Sequence, residues 1–455
     1  MKPCDSCGTR RQMNRSLLGS SLLKPGLLRE LMAADDPMAP KQPHFPAKAK
    51  CVIFLYMTGG VSHVDSFDPK PKLTEDHGKT VRKSQFLVRS PFTFKKFGQS
   101  GLEVSDLFPH VAQRADDLCV IRSMRNDDND HFGATLGIHT GSTMFSRPSI
   151  GSWVSYGLGT VNQNLPSFIV LAPYLPYAGG QVWGSDFLPA AHQGTRIVPG
   201  GEPIPNMTIR EEPAALQTAE LRTLAEFNRK NLASRASDPS LAARMKSFET
   251  AFGMQREAPE VFDLTKETDA THELYGLERG STQGFAWQCL VARRLAERGV
   301  RFMELIDSGS DLNKNWDAHF DIQTHVKLAR NVDQPIAGLL ADLKSRGMLE
   351  DTLVVWTTEF GRTSFNQKPD GKGREHHNRV FSSWLAGAGV KAGTVYGESD
   401  EYGIEVARDA VHFHDFHATI LHLLGMDHTR LTYRYAGRDF RLTDVAGQVV
   451  NGILS

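Results

Sequence analysis

The chain has 455 residues, of which 40% are hydrophobic, and its 52 basic residues balance its 52 acidic ones. This balance argues against a general nucleic-acid-binding protein or a polybasic membrane surface, and no apolar run reaches the roughly 18 residues that a membrane-spanning helix needs. Five cysteines, an odd and sparse set, do not form a disulfide framework. The length suffices for a large α/β fold with a substantial core.

Residues 1–46 resemble a targeting segment and linker more than part of a fold. Thr9 to Met13 (TRRQM) resembles a twin-arginine signal, although charged residues and Pro25 interrupt the apolar stretch that follows. The alternative is a frayed N-terminus. We therefore expect an exported protein, periplasmic or extracellular, whose single folded domain covers residues 47–455.

The first strong strand is predicted at residues 50–58 (KCVIFLYMT). Cys51 to Met57 is apolar without a break, which is typical of a strand buried on both faces. A glycine pair follows, and then His63 and Asp65. These two residues are two positions apart, so they share one side if the chain stays extended.

A second strand, Leu118 to Ser123, leads into the sequence NDDNDHFGATLGIHTGS. Asn129 or Asp130 is predicted to cap a helix that begins near His131 and runs to His139. A side chain at a helix start after a strand faces the same crevice as the other strand ends, where the helix N-terminus favours an anion. The alternative is an ordinary capped helix with His139 in the core.

The middle of the chain predicts an insertion around residues 172–300. Residues 172–210 are rich in Gly and Pro and predict an irregular lid, and residues 212–300 show helical spacing. The predicted helices are Leu216–Leu232, Ser240–Phe252, Phe262–Leu277 and Gly284–Arg298.

After a strand at Arg301 to Ile306 comes the polar segment SGSDLNKNWDAHFD. Asp317 and His319 lie two apart after a strand, which suits a divalent metal. An equally good interpretation is a polar turn that caps the next helix, predicted over residues 322–349.

The most informative stretch is residues 349–378. An apolar, β-branched strand from Thr352 to Thr358 is followed at once by Glu359 and Arg362. Further side chains follow in the next loop, namely Arg374, Glu375, His376 and His377. Polar groups at the carboxyl end of a buried strand build ligand sites in open α/β sheets, and an acid, two imidazoles and two guanidiniums suit a metal-assisted anion site. The alternative is a solvated surface loop.

The last elements are a strand at Trp384 to Gly389 and a helix from Val411 to Leu424, with Asp415 as its predicted N-cap. Strands therefore alternate with helices along the chain, and polar clusters follow the strand ends. This pattern predicts an α/β fold with a mostly parallel sheet.

Several motifs, in order along nearly the whole chain, resemble the family called domain of unknown function 1501. They are GGVSHVDSFDPKP, WDAH, TLVVWTTEFGRT, GREHHN, WLAGAGVKAGTVYG, HDFHATILHLLG and LTYRYAGRDFRLTDV. That family is similar to the alkaline phosphatase and sulfatase superfamily. The resemblance implies an alkaline phosphatase-like fold, a three-layer α/β/α sandwich with a mostly parallel central sheet.

The resemblance also implies a metal site and an activity. The implied ligands are His63 or Asp65, Asp317, His319, Glu359, and His376 or His377. Arg362 or Arg374 would clamp an anionic oxyester. The implied protein is an exported hydrolase of sulfate or phosphate esters with one or two divalent ions (Zn, Mn, Ca or Mg), and sulfated or phosphorylated carbohydrates are among its expected substrates.

Two departures from the superfamily pattern leave the mechanism open. The Asp-His-Gly motif is Glu359-Phe360-Gly361 here, so one imidazole is lost. The position of the nucleophile, counted back from Thr140-Gly141, falls at or beside His131 instead of a Ser, Thr or Cys. His131 would then be the nucleophile or a general acid–base, or a metal-activated water would attack. The competing hypothesis is a non-catalytic binding protein on the same fold that has lost its nucleophile.

Overall fold

The computed structural model describes residues 38–200, 203–204, 214–234, 239–311 and 315–455. The expected twin-arginine signal at Thr9 to Met13 lies outside these residues, so export stays a prediction. The division into a signal, one domain and an insertion around 172–300 likewise stays a prediction. Across the described ranges, no helix combines the length and the apolar character needed to cross a membrane.

The longest strands of the described chain belong to the main sheet. In order they are β1 (Cys51–Met57), β2 (Thr80–Arg82), β3 (Gln85–Leu87), β4 (Phe94–Phe97), β5 (Leu102–Ser105), β6 (Leu118–Arg125), β7 (Phe168–Leu171), β8 (Thr195–Ile197), β9 (Phe302–Asp307), β10 (Thr352–Thr357), β11 (Gly361–Arg362), β12 (Phe365–Asn366), β13 (His376–His377), β14 (Phe381–Ala386), β15 (Thr394–Tyr396), β16 (Glu398–Ser399), β17 (Val406–Arg408), β18 (Val411–His412), β19 (Tyr433–Tyr435) and β20 (Arg438–Phe440).

The helices confirm most of the predicted helical segments. In order they are α1 (Pro71–Glu75), α2 (His131–Thr140), α3 (Ile150–Leu158), α4 (Ala214–Ser234), α5 (Pro239–Phe262), α6 (Asp269–Tyr275), α7 (Gly284–Glu297), α8 (Thr324–Ser345) and α9 (Phe413–Leu423).

The main sheet has nine strands within the described residues, in the order β15-β6-β14-β10-β1-β9-β7-β8, with β18 also beside β6. Every pair is parallel except those of β14, which runs antiparallel to both β10 and β6. This confirms the predicted α/β fold with a mostly parallel central sheet.

Helices cover both faces of this sheet. Along β1, Ile53 and Leu55 pack into one core with α7 and α8. Phe54 and Tyr56 pack into the opposite core with α3 and α9. Successive strand residues point to opposite faces, so an apolar run without alternation is what a strand buried between two helical layers requires. The three-layer α/β/α sandwich is therefore confirmed.

Two helix predictions were wrong in detail. The N-cap of α9 is His412, whose ring accepts a hydrogen bond from the backbone N–H of His414, and Asp415 closes the capping box from the third helical position. The segment predicted as one helix from Phe262 to Leu277 is divided, because Asp263 ends α5 and caps a short 3-10 turn before α6.

Candidate metal centre

The candidate site lies at one edge of the main sheet, where the parallel strands end. Glu359 follows β10, Asp317 follows β9, and His131 opens α2 after β6. His376 lies in β13, just before β14. Because β14 runs antiparallel to its neighbours, the segment that enters it arrives at the edge where the other strands leave. Four separate parts of the chain therefore meet here.

Three imidazoles converge on one carboxylate oxygen in what we call the Asp317 cluster: His131, Asp317, His319 and His376. Oδ1 of Asp317 lies 3.3 Å from Nε2 of His131, 2.9 Å from Nε2 of His319 and 3.3 Å from Nε2 of His376. The ligand atoms of His131, Asp317 and His376 all lie within 4.8 Å of one another. The arrangement is compact enough to hold one metal ion.

The outer ring nitrogen of each imidazole faces a hydrogen-bond acceptor. Nδ1 of His131 lies 2.7 Å from Oε1 of Glu359, and Nδ1 of His319 lies 2.7 Å from Oε2 of Glu375. Nδ1 of His376 lies 2.9 Å from the carbonyl oxygen of Asn129. Carboxylate and carbonyl oxygens only accept, so each Nδ1 carries the proton. This tautomer leaves the Nε2 lone pairs facing the centre, as in metal-ligating histidines.

Glu359 is fully buried and its oxygens are already occupied. Oε1 accepts the backbone N–H of Gly59 at 2.8 Å besides His131, and Oε2 accepts the hydroxyl of Tyr56 at 3.0 Å. Burial acts to raise the pKa of Glu359, but the hydrogen bond and charge of His131 outweigh it and hold this pKa below its ordinary value. Its role as a direct ligand stays a prediction, and this geometry favours a supporting role behind His131.

The backbone of Gly59 makes the approach of Glu359 possible. Gly59 has a φ of 116°, and a Cβ there would lie 2.7 Å from the backbone nitrogen of Trp316. Only glycine accepts both the conformation and the contact. The glycine turn after β1 therefore positions the N–H that orients Glu359 and lets the chain before Asp317 pass close to it.

Asp317 is ionised in this setting. Burial alone would raise the pKa of its carboxyl, but the hydrogen bonds of His131 and His376 and the charge of Arg362 hold the pKa far below the usual range. Nη2 of Arg362 lies 2.5 Å from Oδ1 of Asp317, and its Nε donates to the carbonyl oxygen of Gly60 at 2.9 Å. Arg362 is fully buried, so it anchors Asp317 to the glycine turn.

Two aromatic rings pack against the imidazoles of the Asp317 cluster. The ring of Tyr177 stacks on His131 with centroids 3.9 Å apart and planes 6° apart. Phe360 lies 4.9 Å from the ring of His131 and 4.7 Å from that of His376. Phe360 thus fills the place where the resembled motif has an imidazole. Nothing in the sequence singles out Tyr177, because it lies in a Gly- and Pro-rich segment with no motif.

The remaining predicted residues form a second group, which we call the Asp65 cluster: His63, Asp65, Arg374 and His377. Asp65 is fully buried, and its Oδ2 lies 2.6 Å from Nε of Arg374. Nε2 of His63 bonds the carbonyl oxygen of Gly403 at 2.9 Å, and Nε2 of His377 bonds that of Ile404 at 2.7 Å. In the part of the chain that the structure describes, none of these side chains hydrogen-bonds to the Asp317 cluster.

The ligand roles of His63, Asp65 and His377 and the anion-clamp roles of Arg362 and Arg374 stay predictions. The geometry does not favour them. Besides Asp65, the guanidinium of Arg374 donates to the carbonyl oxygens of Thr363 at 3.0 Å and Val88 at 3.3 Å. An oxyanion would have to displace these buried bonds, which is costly.

The family model described as "Protein of unknown function (DUF1501)" matches residues 49–454. No curated protein matches the chain. Solved structures with a similar fold include the lipoteichoic acid synthase LtaP from Listeria monocytogenes, at 8% identity, TM-score 0.38, 91% of this chain and 80% of that one. They also include the PsFucS1 sulfatase from Pseudoalteromonas sp., at 13% identity, TM-score 0.35, 92% of this chain and 72% of that one.

An alkaline phosphatase from the Antarctic bacterium TAB5 is also similar, at 12% identity and TM-score 0.33, over 78% of this chain and 95% of that one. The family expected from the motifs is thus confirmed, and the similar structures are of the expected alkaline phosphatase and sulfatase type. At these identities and scores they carry no argument about the site or its chemistry.

Proposed function

We propose that this chain, which belongs to the DUF1501 family, is a divalent-metal-dependent hydrolase of sulfate or phosphate esters. The observation that carries the proposal is the convergence of three Nε2 atoms on Oδ1 of Asp317. His131, Asp317 and His376 would hold the ion, with His319 beside them. Export stays part of the proposal, since it rests on Thr9 to Met13.

The residues of the cluster fit a divalent cation. Three Nε2 atoms converge on a carboxylate oxygen that Arg362 contacts from the other side, and imidazole lone pairs so close together repel unless a cation or a proton lies among them. Nε2 of His131 is buried and lies 3.3 Å from Oδ1 of Asp317. Imidazole and carboxylate donors without thiolate fit Zn²⁺ and Mn²⁺, and Mg²⁺ or Ca²⁺ less well. A bound ion would supply Lewis-acid stabilisation of the charge that develops on the ester oxygens.

The protein side chains have separable roles in this proposal. Glu359 keeps the proton of His131 on Nδ1 and so presents its Nε2 to the centre. Tyr177 and Phe360 exclude water from the faces of the His131 ring. Burial raises the pKa of Tyr177, so its phenol stays protonated beside the cluster. As a ligand, His131 has no free lone pair, which removes it as the nucleophile and leaves attack to water.

Elemental analysis of the purified, dialysed full chain tests the proposal. We expect about one or two equivalents of a divalent metal in the wild type, and loss of the metal in Asp317→Asn. Asp370→Asn is the matched control, because Asp370 is an exposed carboxylate in the loop before His376. A screen of sulfate and phosphate esters with that metal should then show turnover in the wild type and the control alone.

Two outcomes would change the conclusion. A wild type that retains no metal after incubation with Zn, Mn, Mg or Ca would reject the metal centre. Metal retained without turnover of any ester would favour the non-catalytic binding protein, because the cluster would then be structural.

A further inference from the structure

A cleft of about 300 Å³ adjoins the candidate metal centre. It is lined by His376 of the Asp317 cluster and by Asn129 and Glu375, which hydrogen-bond to imidazoles of that cluster. A molecule bound at the cluster would therefore extend directly into the cleft. The cleft is the natural place for the part of a substrate that does not react.

One wall of the cleft is a small antiparallel sheet. Strand β2 pairs with β3 so that Arg82 lies opposite Gln85. Strand β3 pairs in turn with β12, which contributes Phe365. The opposite wall is β13 with His376 and its neighbours. The β2–β3 hairpin thus places the guanidinium of Arg82 and the amide of Gln85 along one wall of the cleft.

The polar groups of this wall are not satisfied by the protein. Arg82 is exposed, and its guanidinium has neither an ion-pair nor a hydrogen-bond partner within the described ranges. The other arginine of the cleft, Arg379, is paired with Glu405. Oε1 of Gln85 is a buried acceptor with no hydrogen-bond partner in the described part of the chain. An uncompensated guanidinium beside a buried acceptor suits an oxyanion carried by a hydroxyl-bearing molecule.

We propose that this cleft binds a second anionic group of the substrate, an inference that rests on the proposed function of the Asp317 cluster. Arg82 binds the second sulfate or phosphate group, and Gln85 accepts a hydrogen bond from a hydroxyl. The substrate class is then a saccharide with at least two sulfate or phosphate groups. One group lies at the Asp317 cluster while the sugar chain continues past His376.

Calorimetry on the full chain tests the cleft with probes that cannot be hydrolysed. The probes are a disaccharide with one sulfonate group and the same disaccharide with two. The corresponding disaccharides with one and two phosphonate groups show which oxyanion the cleft binds. The variant is Arg82→Gln. The matched control is Lys83→Gln, which removes an equal charge from the next, exposed residue outside the cleft.

In the wild type and in Lys83→Gln, the doubly charged disaccharide should bind about tenfold more tightly than the singly charged one. In Arg82→Gln the ratio should fall to about one. Three results would reject the proposed binding of a second anionic group in the cleft. They are a ratio near one in the wild type, no binding of either probe, and an equal loss in both variants.

Metal content is measured on the same samples, which separates the two proposals. A wild type that contains metal and shows a ratio near one would keep the proposed function and reject the cleft. A metal-free wild type that keeps the tenfold ratio would reject the hydrolase and keep the cleft as an anion-binding site.

Discussion

The Asp317 cluster and the Asp65 cluster each pair a carboxylate with a buried arginine, yet they differ in where their imidazoles lie. In the Asp65 cluster the carboxylate is matched by the guanidinium of Arg374, with Nε to Oδ2 at 2.6 Å and Nη2 to Oδ1 at 3.1 Å. In the Asp317 cluster Oδ1 is paired with Arg362 at 2.5 Å, and three imidazoles share that same oxygen. In the Asp65 cluster the imidazoles of His63 and His377 bond backbone carbonyl oxygens, whereas in the Asp317 cluster three Nε2 atoms are brought together. Complementary pairing therefore indicates structure, and convergent donors indicate a site.

The largest expected effect follows from breaking the buried ion pair. Arg374→Gln should lower the free energy of unfolding by about 3–5 kcal/mol, because Asp65 would be left buried and unpaired. Denaturant unfolding measures this change. Lys50→Gln is the control, since the side chain of Lys50 is 77% exposed in its ion pair with Asp351 and should cost less than about 1 kcal/mol. Equal effects in the two variants would contradict the structural role of the Asp65 cluster.

The next largest effect is expected from acid, which should destabilise the fold by protonating buried histidines that lack a carboxylate partner. Burial, assisted by Lys41, lowers the pKa of His192 to about 3, whereas two carboxylates raise that of His131 despite its burial. As the pH falls, His192 is therefore protonated in the unfolded chain before it is protonated in the folded one. The free energy of unfolding falls by a few kcal/mol as the pH drops from about 6.5 towards 3.

Unfolding measured at several pH values checks this prediction. His192→Gln should make the acid limb of the stability profile less steep by the share of one proton, because burial also lowers the pKa of His325 and His417 to about 3. His110→Gln, at an exposed histidine, should leave the limb unchanged. An acid limb of the same slope in both variants would show that His192 is already protonated in the folded chain.

Glu359→Gln sharpens the distinction between a ligand and its support. If Glu359 acts only by holding Nδ1 of His131, the substitution should weaken metal binding by about 10- to 100-fold and not abolish it. Metal titration against a chelator measures the affinity. Glu398→Gln, at an exposed carboxylate, should bind as the wild type does. A loss as complete as that of Asp317→Asn would make Glu359 a direct ligand, as the sequence predicts.

The smallest expected effect concerns the stacked ring of Tyr177. A double-mutant cycle with Tyr177→Leu and His131→Ala in metal-free buffer should give a coupling energy of about 0.5–1.5 kcal/mol, typical of aromatic pairs. Tyr174→Leu, at an exposed ring in the same segment, should show no coupling to His131. Equal coupling for both tyrosines would mean that the segment acts as a whole and not through the stack.

The sequence was informative where local rules decide the structure. The unbroken apolar run of β1 predicted a strand between two helical layers, and Asp130 was identified as a candidate cap of α2, where its side chain accepts the N–H of Phe132. Such features depend on neighbours in the sequence. The site residues Asp317, His319 and His376 were candidates for the same reason, since they follow or precede strands.

The sequence could not predict which side chains pair with each other at the site, because pairing depends on strand register and on contacts between distant residues. His376 and His377 are adjacent in β13, where His376 lies opposite Arg362 and His377 opposite Gly361. Consecutive strand residues point to opposite sides, so one imidazole enters each cluster. The sequence offered both as equal candidates. Likewise, nothing local shows that Arg374 pairs with Asp65 rather than with a substrate.

The reversed direction of β14 also has a kinetic consequence. His131 follows β6 and His376 precedes β14, so the Asp317 cluster exists only after these two strands, far apart in the chain, have paired. Contacts between distant segments close slowly, because loop entropy is lost before they form. A bound ion would stabilise only chains in which this closure is complete. Metal uptake during refolding would therefore report the pairing of β6 with β14, and a chain that ends before β14 would fail to acquire metal however well its remaining segments fold.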